Sequence, residues 1–163
     1  MITQEELKAL VRYVPATGNL IRRVAMGSRG KVGDVIGTLY KNGYLRTQIN
    51  GSTYTVHALV WLYHKGRLPC LDIDHINGNR ADNRIENLRE VTRSVNMQNL
   101  RKAPVHNKSS KLLGVKLHSK GKRWQAQIQV DKKQIYLGLF DTKEEAHAAY
   151  LSAKRKIHEG CTI

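Results

Sequence analysis

Apolar side chains near the N-terminus recur first at helical and then at strand spacing. Thr3 and Glu6 form a capping box ahead of an apolar stripe, so the sequence predicts a short helix there. The stripe consists of Leu7, Leu10 and Val11. A strand-like run follows at residues 19–24, whereas residues 26–37 are too rich in glycine and basic side chains for a regular element. We therefore expect a helix, a strand and a loop in this order.

A hairpin and a second helix are predicted next. An Asn-Gly pair at residues 50–51 joins two alternating runs, 44–49 and 53–56. This dipeptide between such runs is the strongest short signal for a hairpin. From His57 onward the apolar positions recur at helical spacing, and the pattern stops at Gly66.

Residues 71–100 alternate between short apolar runs and polar stretches. A strand is predicted to end in Asp74-His75, and the polar residues 80–87 are expected to form a wide loop, because they cannot build a core. A second strand is predicted at 88–91, and Thr92 is expected to cap a helix that carries Asn96. The order is strand, loop, strand, helix.

The last third of the chain begins with a basic stretch, residues 101–111, which we interpret as a linker. Three short strands are predicted after it, at 115–118, 123–130 and 134–139. A helix at about 142–158 follows, with a capping box of Thr142 and Glu145. In the strands, apolar and polar side chains alternate, so one face can pack on the helix while the other stays exposed.

The charge of the chain points to a polyanionic partner. Lys and Arg total 28 against 13 Asp and Glu, a formal net charge of +15 over 163 residues. Such an excess favours a nucleic acid, although an acidic membrane surface would also satisfy it. No apolar run is long enough to span a membrane, and no signal segment opens the chain. We expect no protein partner, and favour a monomer.

Cysteine usage excludes a zinc ribbon or finger. Cys70 and Cys161 are the two cysteines of the chain, and they form no CxxC pair. Together with the missing signal segment, this favours a reducing, intracellular setting. If a phage encodes the protein, that setting is the cytoplasm of a bacterial host.

Residues 74–96 carry the groups that phosphodiester hydrolysis needs. His75 is the candidate general base, because its pKa range is near neutral. Asp74 and Asn96 offer oxygen ligands, which favour one Mg²⁺ (or Mn²⁺) ion over zinc. Asn87 is placed to hold the imidazole ring, although a turn-capping role is nearly as plausible. Asn79 and Asn83 are expected to shape the loop.

The exposed face of the predicted C-terminal sheet carries amide, guanidinium and ring groups that can contact base edges. Its residues are Lys116, His118, Arg123, Gln125, Gln127, Gln129, Gln134 and Tyr136. The alternative is a merely solvated polar face. In the basic stretch, Arg101 and Lys102 are expected to contact phosphates.

The middle of the chain resembles the HNH nucleases, particularly the homing endonucleases of phages and introns. The resemblance rests on Asp74-His75, Asn87 and Asn96, and on the lead-in TVHALVWLYHKGRLP at residues 55–69. It implies a ββα-metal core. The chain departs from the HNH letters because Asn96 replaces the last His and Asp74 stands where many members have a second His. His57 and His64 are expected to be structural or to face phosphate.

Residues 112–158 resemble the plant ethylene-response-factor (Apetala-two) DNA-binding domain, which lays a three-stranded sheet in the major groove. The matching segments are Gly114-Val115-Lys116, Trp124-x-Ala126-x-Ile128, Tyr136-Leu137-Gly138, Phe140-Asp141-Thr142, Glu145-Ala146 and Ala149-Tyr150. Several reading positions differ from the plant family, so the plant recognition sequence is not carried over.

Together these patterns predict an α+β protein. An N-terminal hairpin and helix lead into the ββα-metal core at about 71–100, and a small three-stranded antiparallel sheet packs on one helix. The expected domains are an HNH nuclease at 1–100, a linker at 101–111 and an Apetala-two type module at 112–163. The expected activity is metal-dependent cleavage of double-stranded DNA, with a site preference as in homing. Alternatives are a non-catalytic DNA-binding regulator and a restriction or packaging endonuclease.

Overall fold

Buried apolar side chains gather into two separate cores, one in each half of the chain. The computed structural model describes residues 1–25, 30–103, 107, 109–119 and 121–163. The predicted loop 26–37 and linker 101–111 therefore lie partly outside the described residues. Two compact units result, Met1–Arg93 and Ser94–Ile163.

The first unit contains two helices, seven strands and a short 3-10 turn among its described residues. In chain order they are α1 (Gln4–Leu10), β1 (Val11–Val14), β2 (Asn19–Arg22), β3 (Thr38–Leu39), β4 (Leu45–Ile49), β5 (Ser52–Thr55), α2 (Val56–Lys65), β6 (Asp72–His75), the 3-10 turn (Ile85–Asn87) and β7 (Leu88–Val91).

The capping box at the N-terminus is confirmed, but the helix is shorter than its apolar stripe. Thr3 Oγ1 accepts from Glu6 N at 3.2 Å, and Thr3 N donates to Glu6 Oε2 at 2.8 Å. Val11 does not extend the helix; its φ of −139° is extended, and it opens β1. A β-branched residue suits a strand, and β1 pairs antiparallel with β2.

The predicted hairpin is confirmed as β4–β5, and β3 adds to it in the order β3-β4-β5. Asn50 and Gly51 both have positive φ, 49° and 76°. These angles fit a type I′ turn, whose twist matches that of the flanking strands. Ile49 and Tyr54 from the hairpin face the core.

Helix α2 is the centre of the first unit. Five of its ten residues are buried: Val56, Leu59, Val60, Trp61 and Leu62. It ends as predicted at Gly66, which adopts the left-handed conformation (φ 75°) and donates its N–H to Leu62 O at 3.0 Å.

Strands β6 and β7 form the predicted antiparallel pair. Their register places His75 opposite Leu88 and Asp74 opposite Arg89. Ile73 and Leu88 join the core of the first unit. The pair thus brings the Asp-His dipeptide to the edge of a packed core.

The second unit contains α3 (Arg93–Gln98), β8 (Val115–Leu117), β9 (Trp124–Val130), β10 (Lys133–Phe140) and α4 (Lys143–Ile157). The strands are antiparallel in the order β10-β9-β8. Its core includes Val115 and Ala126 from the sheet and Ala146 from α4. The three predicted strands and the final helix are confirmed.

Helix α3 belongs to the second unit apart from its first residue, although the sequence placed it with the nuclease portion. Hydrogen bonds from the C-terminal segment explain this grouping. Gly160 N donates to Gln98 Oε1 at 2.9 Å, and the buried Lys154 donates from Nζ to Leu100 O at 2.6 Å. These bonds tie the chain just after α3 to the end of α4.

A β-bulge interrupts the predicted alternation in β10. Tyr136 pairs with Gln127, but Gly138 pairs with Ala126, so Leu137 is an extra residue. Beyond the bulge, Leu139 shares the face of the polar residues. Ile135, which the alternation of β10 predicts on the apolar face, is 42% exposed, because it sits on an edge strand.

The fold class is confirmed as α+β, with small antiparallel sheets and helices packed on them. Within the described part of the chain, no helix combines the length and the apolar character that crossing a bilayer requires.

Packing in the second unit depends on a glycine. Gly114 has a φ of +69°, and a Cβ at this position would overlap the ring of Tyr150. We expect Gly114→Ala to lower the free energy of unfolding by about 1–3 kcal/mol through overpacking, in addition to the backbone strain. Denaturant unfolding of the full chain measures this loss.

The matched control for this substitution is Gly121→Ala. Gly121 has a similar φ of +73°, but no heavy atom lies within 4 Å of its Cβ position. Both variants therefore carry the same backbone strain, and the overlap with Tyr150 is specific to one. Equal losses in the two variants would show that the ring contact is unimportant.

Candidate active site

Asp74 and His75 end strand β6 and are both buried, with 5% and 3% of their surfaces exposed. The strand register places Arg89 opposite Asp74. Arg89 Nε and Nη2 both contact Asp74 Oδ2, at 2.9 and 2.8 Å. A buried carboxylate needs such a partner, and the two contacts fix its rotamer.

Asn83 is the residue that holds the imidazole of His75. His75 Nε2 and Asn83 Oδ1 lie 3.1 Å apart, and Asn83 Nδ2 donates to Ala81 O at 3.4 Å. Because the amide presents its oxygen to the ring, this contact favours the tautomer with the proton on Nε2 and the basic lone pair on Nδ1. Asn83 is itself 2% exposed.

Burial lowers the pKa of His75, while the hydrogen bond to Asn83 and the charge of Asp74 act in the opposite direction. The neutral form is therefore favoured at neutral pH. A neutral imidazole with a defined tautomer is what a general base requires.

Asn87 was predicted to hold the imidazole ring, but its hydrogen bonds go to the loop backbone. Its Oδ1 accepts from Asn77 N at 2.9 Å, and its Nδ2 donates to Asp82 O at 2.8 Å. The ring contact is made by Asn83 instead, four residues earlier in the same loop. Asn87 therefore shapes the loop that carries Asn83.

The loop between β6 and β7 is held together by its own polar side chains. Asn77 Oδ1 accepts from Asn79 N at 2.8 Å, and Asn79 Oδ1 accepts from Ala81 N at 3.1 Å. Arg84 forms an ion pair with Asp82 at 2.8 Å. The hydrogen bonds that Arg84 and Asn77 donate to the Asp82 carboxylate lower its pKa to about 2. Asn and Asp favour turns because they make such local bonds. The expected loop-shaping role of Asn79 agrees with this geometry.

The β1–β2 hairpin supports the same loop from outside. Tyr13 Oη accepts from Ile85 N at 2.9 Å. Gly18 lies so close to the loop that a Cβ there would overlap the backbone of Asn83 and Arg84. A distant hairpin thus sets the position of the amide that contacts His75.

Two further aromatic rings adjoin His75. The ring centroids of His57 and His75 are 5.3 Å apart, and those of Tyr44 and His75 are 5.8 Å apart. His57 was expected to be structural or to face phosphate, and neither Tyr44 nor Arg89 was singled out. No local pattern reveals these neighbours, because they depend on strand register and on helix packing.

Asp74 and Asn96 were predicted as the metal ligands. Asp74 supplies one preset, hard carboxylate in the first unit, and Asn96 lies on α3 in the second. A carboxylate oxygen and an amide oxygen are both donor types that Mg²⁺ accepts. Within the described ranges, no group of three or more His, Cys, Asp or Glu side chains converges into a cage.

The strand register of the second unit aligns six of the predicted DNA-contacting residues on one face of the sheet. Lys116 pairs with Gln125, Gln127 with Tyr136, and Gln129 with Gln134. Lys116, Gln129, Gln134 and Tyr136 are exposed, and the remaining two are half-buried.

The other four predicted DNA contacts are placed differently. His118 is half-buried in the turn after β8. Arg123 forms an ion pair with Asp141 at 3.0 Å, and Arg101 donates to Thr162 Oγ1 at 2.9 Å. Lys102 is exposed. The two arginines thus have internal partners that a DNA contact would have to replace.

Comparison with known proteins supports a nuclease. Residues 54–98 match a family model described as HNH endonuclease, which covers under a third of the chain. The segment includes Asp74, His75, Asn83, Asn87 and Asn96.

The chain is also similar to curated plant proteins. APETALA2-like protein 2 of Oryza sativa subsp. indica, and the protein of the same name in subsp. japonica, are each 36% identical to it over 107 residues. The similarity covers 61% of this chain and 24% of each relative, so the chain spans about a quarter of their length. No solved structure matches the chain.

The contact between Gly18 and the loop predicts an effect on the His75 tautomer. Gly18→Ala should displace the backbone of Asn83, so that Nε2 of His75 loses its acceptor and both tautomers become populated. Long-range ¹⁵N–¹H spectra of the imidazole distinguish the two tautomers. The parent should show mainly the Nε2–H form.

Gly51→Ala is the control for this measurement. Gly51 also has a positive φ, 76°, but nothing lies within 4 Å of its Cβ position. This variant should keep the parent's imidazole spectrum. If Gly18→Ala also keeps it, the hairpin does not position Asn83.

Proposed function

We propose that this chain is a metal-dependent endonuclease that hydrolyses phosphodiester bonds in double-stranded DNA. The observation that carries the proposal is the buried His75, with Nε2 bound by Asn83 and with Asp74 beside it. The match of residues 54–98 to HNH endonucleases supports the same activity.

His75 has the role of general base in this proposal. Its Nδ1 takes a proton from the water that attacks phosphorus, and Nε2 stays bonded to Asn83 throughout. The ring becomes an imidazolium, whose positive charge Asp74 can partly compensate. The bond between phosphorus and the 3′-oxygen breaks, and the leaving oxygen takes a proton from solvent. The products are a 3′-hydroxyl and a 5′-phosphate.

A single divalent ion, Mg²⁺ or Mn²⁺, is the proposed cofactor, with Asp74 and Asn96 as its protein ligands. When bound, it neutralises negative charge on the phosphate and on the leaving oxygen. Arg89 holds the carboxylate of Asp74 in one rotamer. The Asp74 side chain therefore does not need to change its conformation when the ion binds.

Site preference is proposed to come from the second unit. Its sheet presents uncharged amide groups that can pair with base edges, whereas the net charge of +15 supplies affinity for phosphates without sequence information. We therefore propose a site-preferring enzyme of the phage or intron homing type.

A second candidate function is DNA binding without cleavage, as in a regulator that carries a relic nuclease segment. The similarity to the rice APETALA2-like proteins and the polar sheet face favour this candidate. A supercoiled-plasmid assay with Mg²⁺, with and without chelator, separates the two. Chelator-sensitive nicking or linearisation identifies an enzyme, and the products show how many strands are cut.

His75→Ala should lower turnover by about 10²–10⁴-fold, because a positioned general base contributes this much. DNA affinity should stay almost unchanged, since the buried ring adds little to binding. Single-turnover cleavage and a binding titration measure the two quantities. Cleavage close to that of the parent would refute the assignment of the base.

The metal is tested by Asp74→Ala and Asn96→Ala. The first variant should be inactive in Mg²⁺, and the second should recover partly at high metal or in Mn²⁺. Calorimetry measures metal binding directly. If Asp74→Ala binds Mg²⁺ as the parent does, the ligand set is incorrect.

Replacement of Gln127 should affect sequence discrimination rather than general affinity. Gln127→Ala is expected to cost about 1–3 kcal/mol on the preferred site and little on random DNA. Neutralising Arg101 and Lys102 together should weaken binding to both duplexes and flatten the salt dependence by about 1–2 units in log–log slope. Binding at several salt concentrations measures both effects.

If Gln127→Ala lowers the affinity for both duplexes equally, the sheet binds DNA without reading its sequence. Arg123→Ala is a useful comparison, because its ion pair with Asp141 gives it a structural role as well.

A further inference from the structure

The ring of the proposed general base, His75, meets two other rings that come from distant parts of the chain. The ring centroids of Tyr44 and His57 are 5.2 Å apart, and those of His57 and His75 are 5.3 Å apart. Tyr44 and His75 close the triangle at 5.8 Å. All three distances lie in the range of aromatic pairs. We call these three residues the ring cluster.

The geometry within the cluster is mainly edge to face. The planes of His57 and His75 are inclined by 80°, and those of Tyr44 and His57 by 67°. In such an arrangement, a rotation of one ring about its Cβ–Cγ bond collides with its neighbour. The plane of the His75 imidazole is therefore restricted by ring contacts in addition to the hydrogen bond at its Nε2.

Each ring of the cluster is fixed by a second contact of its own. His57, the second residue of α2, has its Nε2 3.0 Å from Thr55 Oγ1. Arg80 Cζ lies 5.0 Å from the centroid of the Tyr44 ring, and Arg80 Nη1 donates to Asn42 O at 2.8 Å. A ring that is itself held can hold its neighbour.

Electrostatics suit a supporting role for His57. Burial, and then the neighbouring His75, lower the pKa of His57 to about 4. His57 is therefore neutral at neutral pH and does not oppose the positive charge that His75 gains as a base. Arg80 lies outside the ring cluster, over the Tyr44 ring, and is exposed to solvent.

We propose that His57 is a positioning residue for His75, whose ring contact keeps the imidazole plane, and hence the Nδ1 lone pair, in one direction. His57 exchanges no proton with the substrate and acts through His75 alone. This inference rests on the function proposed above.

Two variants separate the ring of His57 from its hydrogen bond. His57→Phe keeps an aromatic ring beside His75 but loses the bond to Thr55. His57→Gln keeps a polar group for Thr55 but loses the ring. Because the ring contact is the proposed cause, His57→Gln should reduce turnover at saturating DNA by about 10- to 100-fold, and His57→Phe should restore most of it.

Two controls exclude a merely structural effect. DNA affinity should be unchanged in both variants, and only turnover should fall. In a His75→Ala background, His57→Gln should have no further effect, because positioning acts through the missing ring.

The spectrum of the His75 imidazole provides a test that needs no cleavage. His57→Gln should change the ¹⁵N and ring-proton shifts of His75, and His57→Phe should leave the Nε2–H tautomer dominant. If the parent fails to cleave in Mg²⁺ and Mn²⁺, the proposed function is overturned, while these spectra still decide whether His57 holds the ring.

Two results would overturn the positioning role. One is parent-like turnover and an unchanged His75 spectrum in His57→Gln. The other is a reversed order, with His57→Gln active and His57→Phe defective, which would assign the effect to the Thr55 hydrogen bond. If His57→Gln does not fold, the spectrum and turnover of His57→Phe decide, since a ring-based role requires both to be close to those of the parent.

Discussion

The hydrogen bond between His75 Nε2 and Asn83 Oδ1 constrains the rest of the first unit. Both side chains are almost fully buried, and a buried N–H without an acceptor costs about 1–3 kcal/mol. The chain must therefore return an amide to the ring eight residues after the histidine. It does so through a loop with few apolar side chains, of which Ile85 packs against the core. The loop's own amides, those of Asn77, Asn79 and Asn87, bind its backbone as well.

Contacts from other parts of the first unit also fix the position of this loop. The β1–β2 hairpin supplies them, through Tyr13 Oη at Ile85 N and through the close approach of Gly18 to Asn83. Both residues lie outside the segment that matches HNH endonucleases. The matched segment therefore makes contacts that residues outside it supply. Helix α2 contributes buried residues to the core against which the β1–β2 hairpin and the β6–β7 pair pack. It also carries His57 of the ring cluster.

Local signals predicted most of the fold. Capping boxes at Thr3 and Thr142 and the Asn-Gly turn involve residues close in sequence, and the structure has all three. Strand β1 was missed because Val11 satisfies a helical stripe and a strand equally well. The choice between Asn83 and Asn87 as the partner of His75 depended on the path of the loop, which spacing does not specify. The pairing of Asp74 with Arg89 required the register of β6 and β7. Non-local geometry thus accounts for the contacts of His75 and Asp74 that the sequence did not predict.

The two units use their polar side chains in opposite ways. In the first unit, the charges near His75 are matched internally, Asp74 by Arg89 and Asp82 by Arg84, so the groups are fixed before any ligand arrives. On the sheet of the second unit, Gln129 and Gln134 are exposed and hydrated, and they can exchange water for other partners at little cost. Chemistry benefits from preset groups, whereas recognition needs groups that can form new hydrogen bonds. The distribution of satisfied and solvated polar groups therefore supports the proposal that hydrolysis belongs to the first unit and DNA reading to the second.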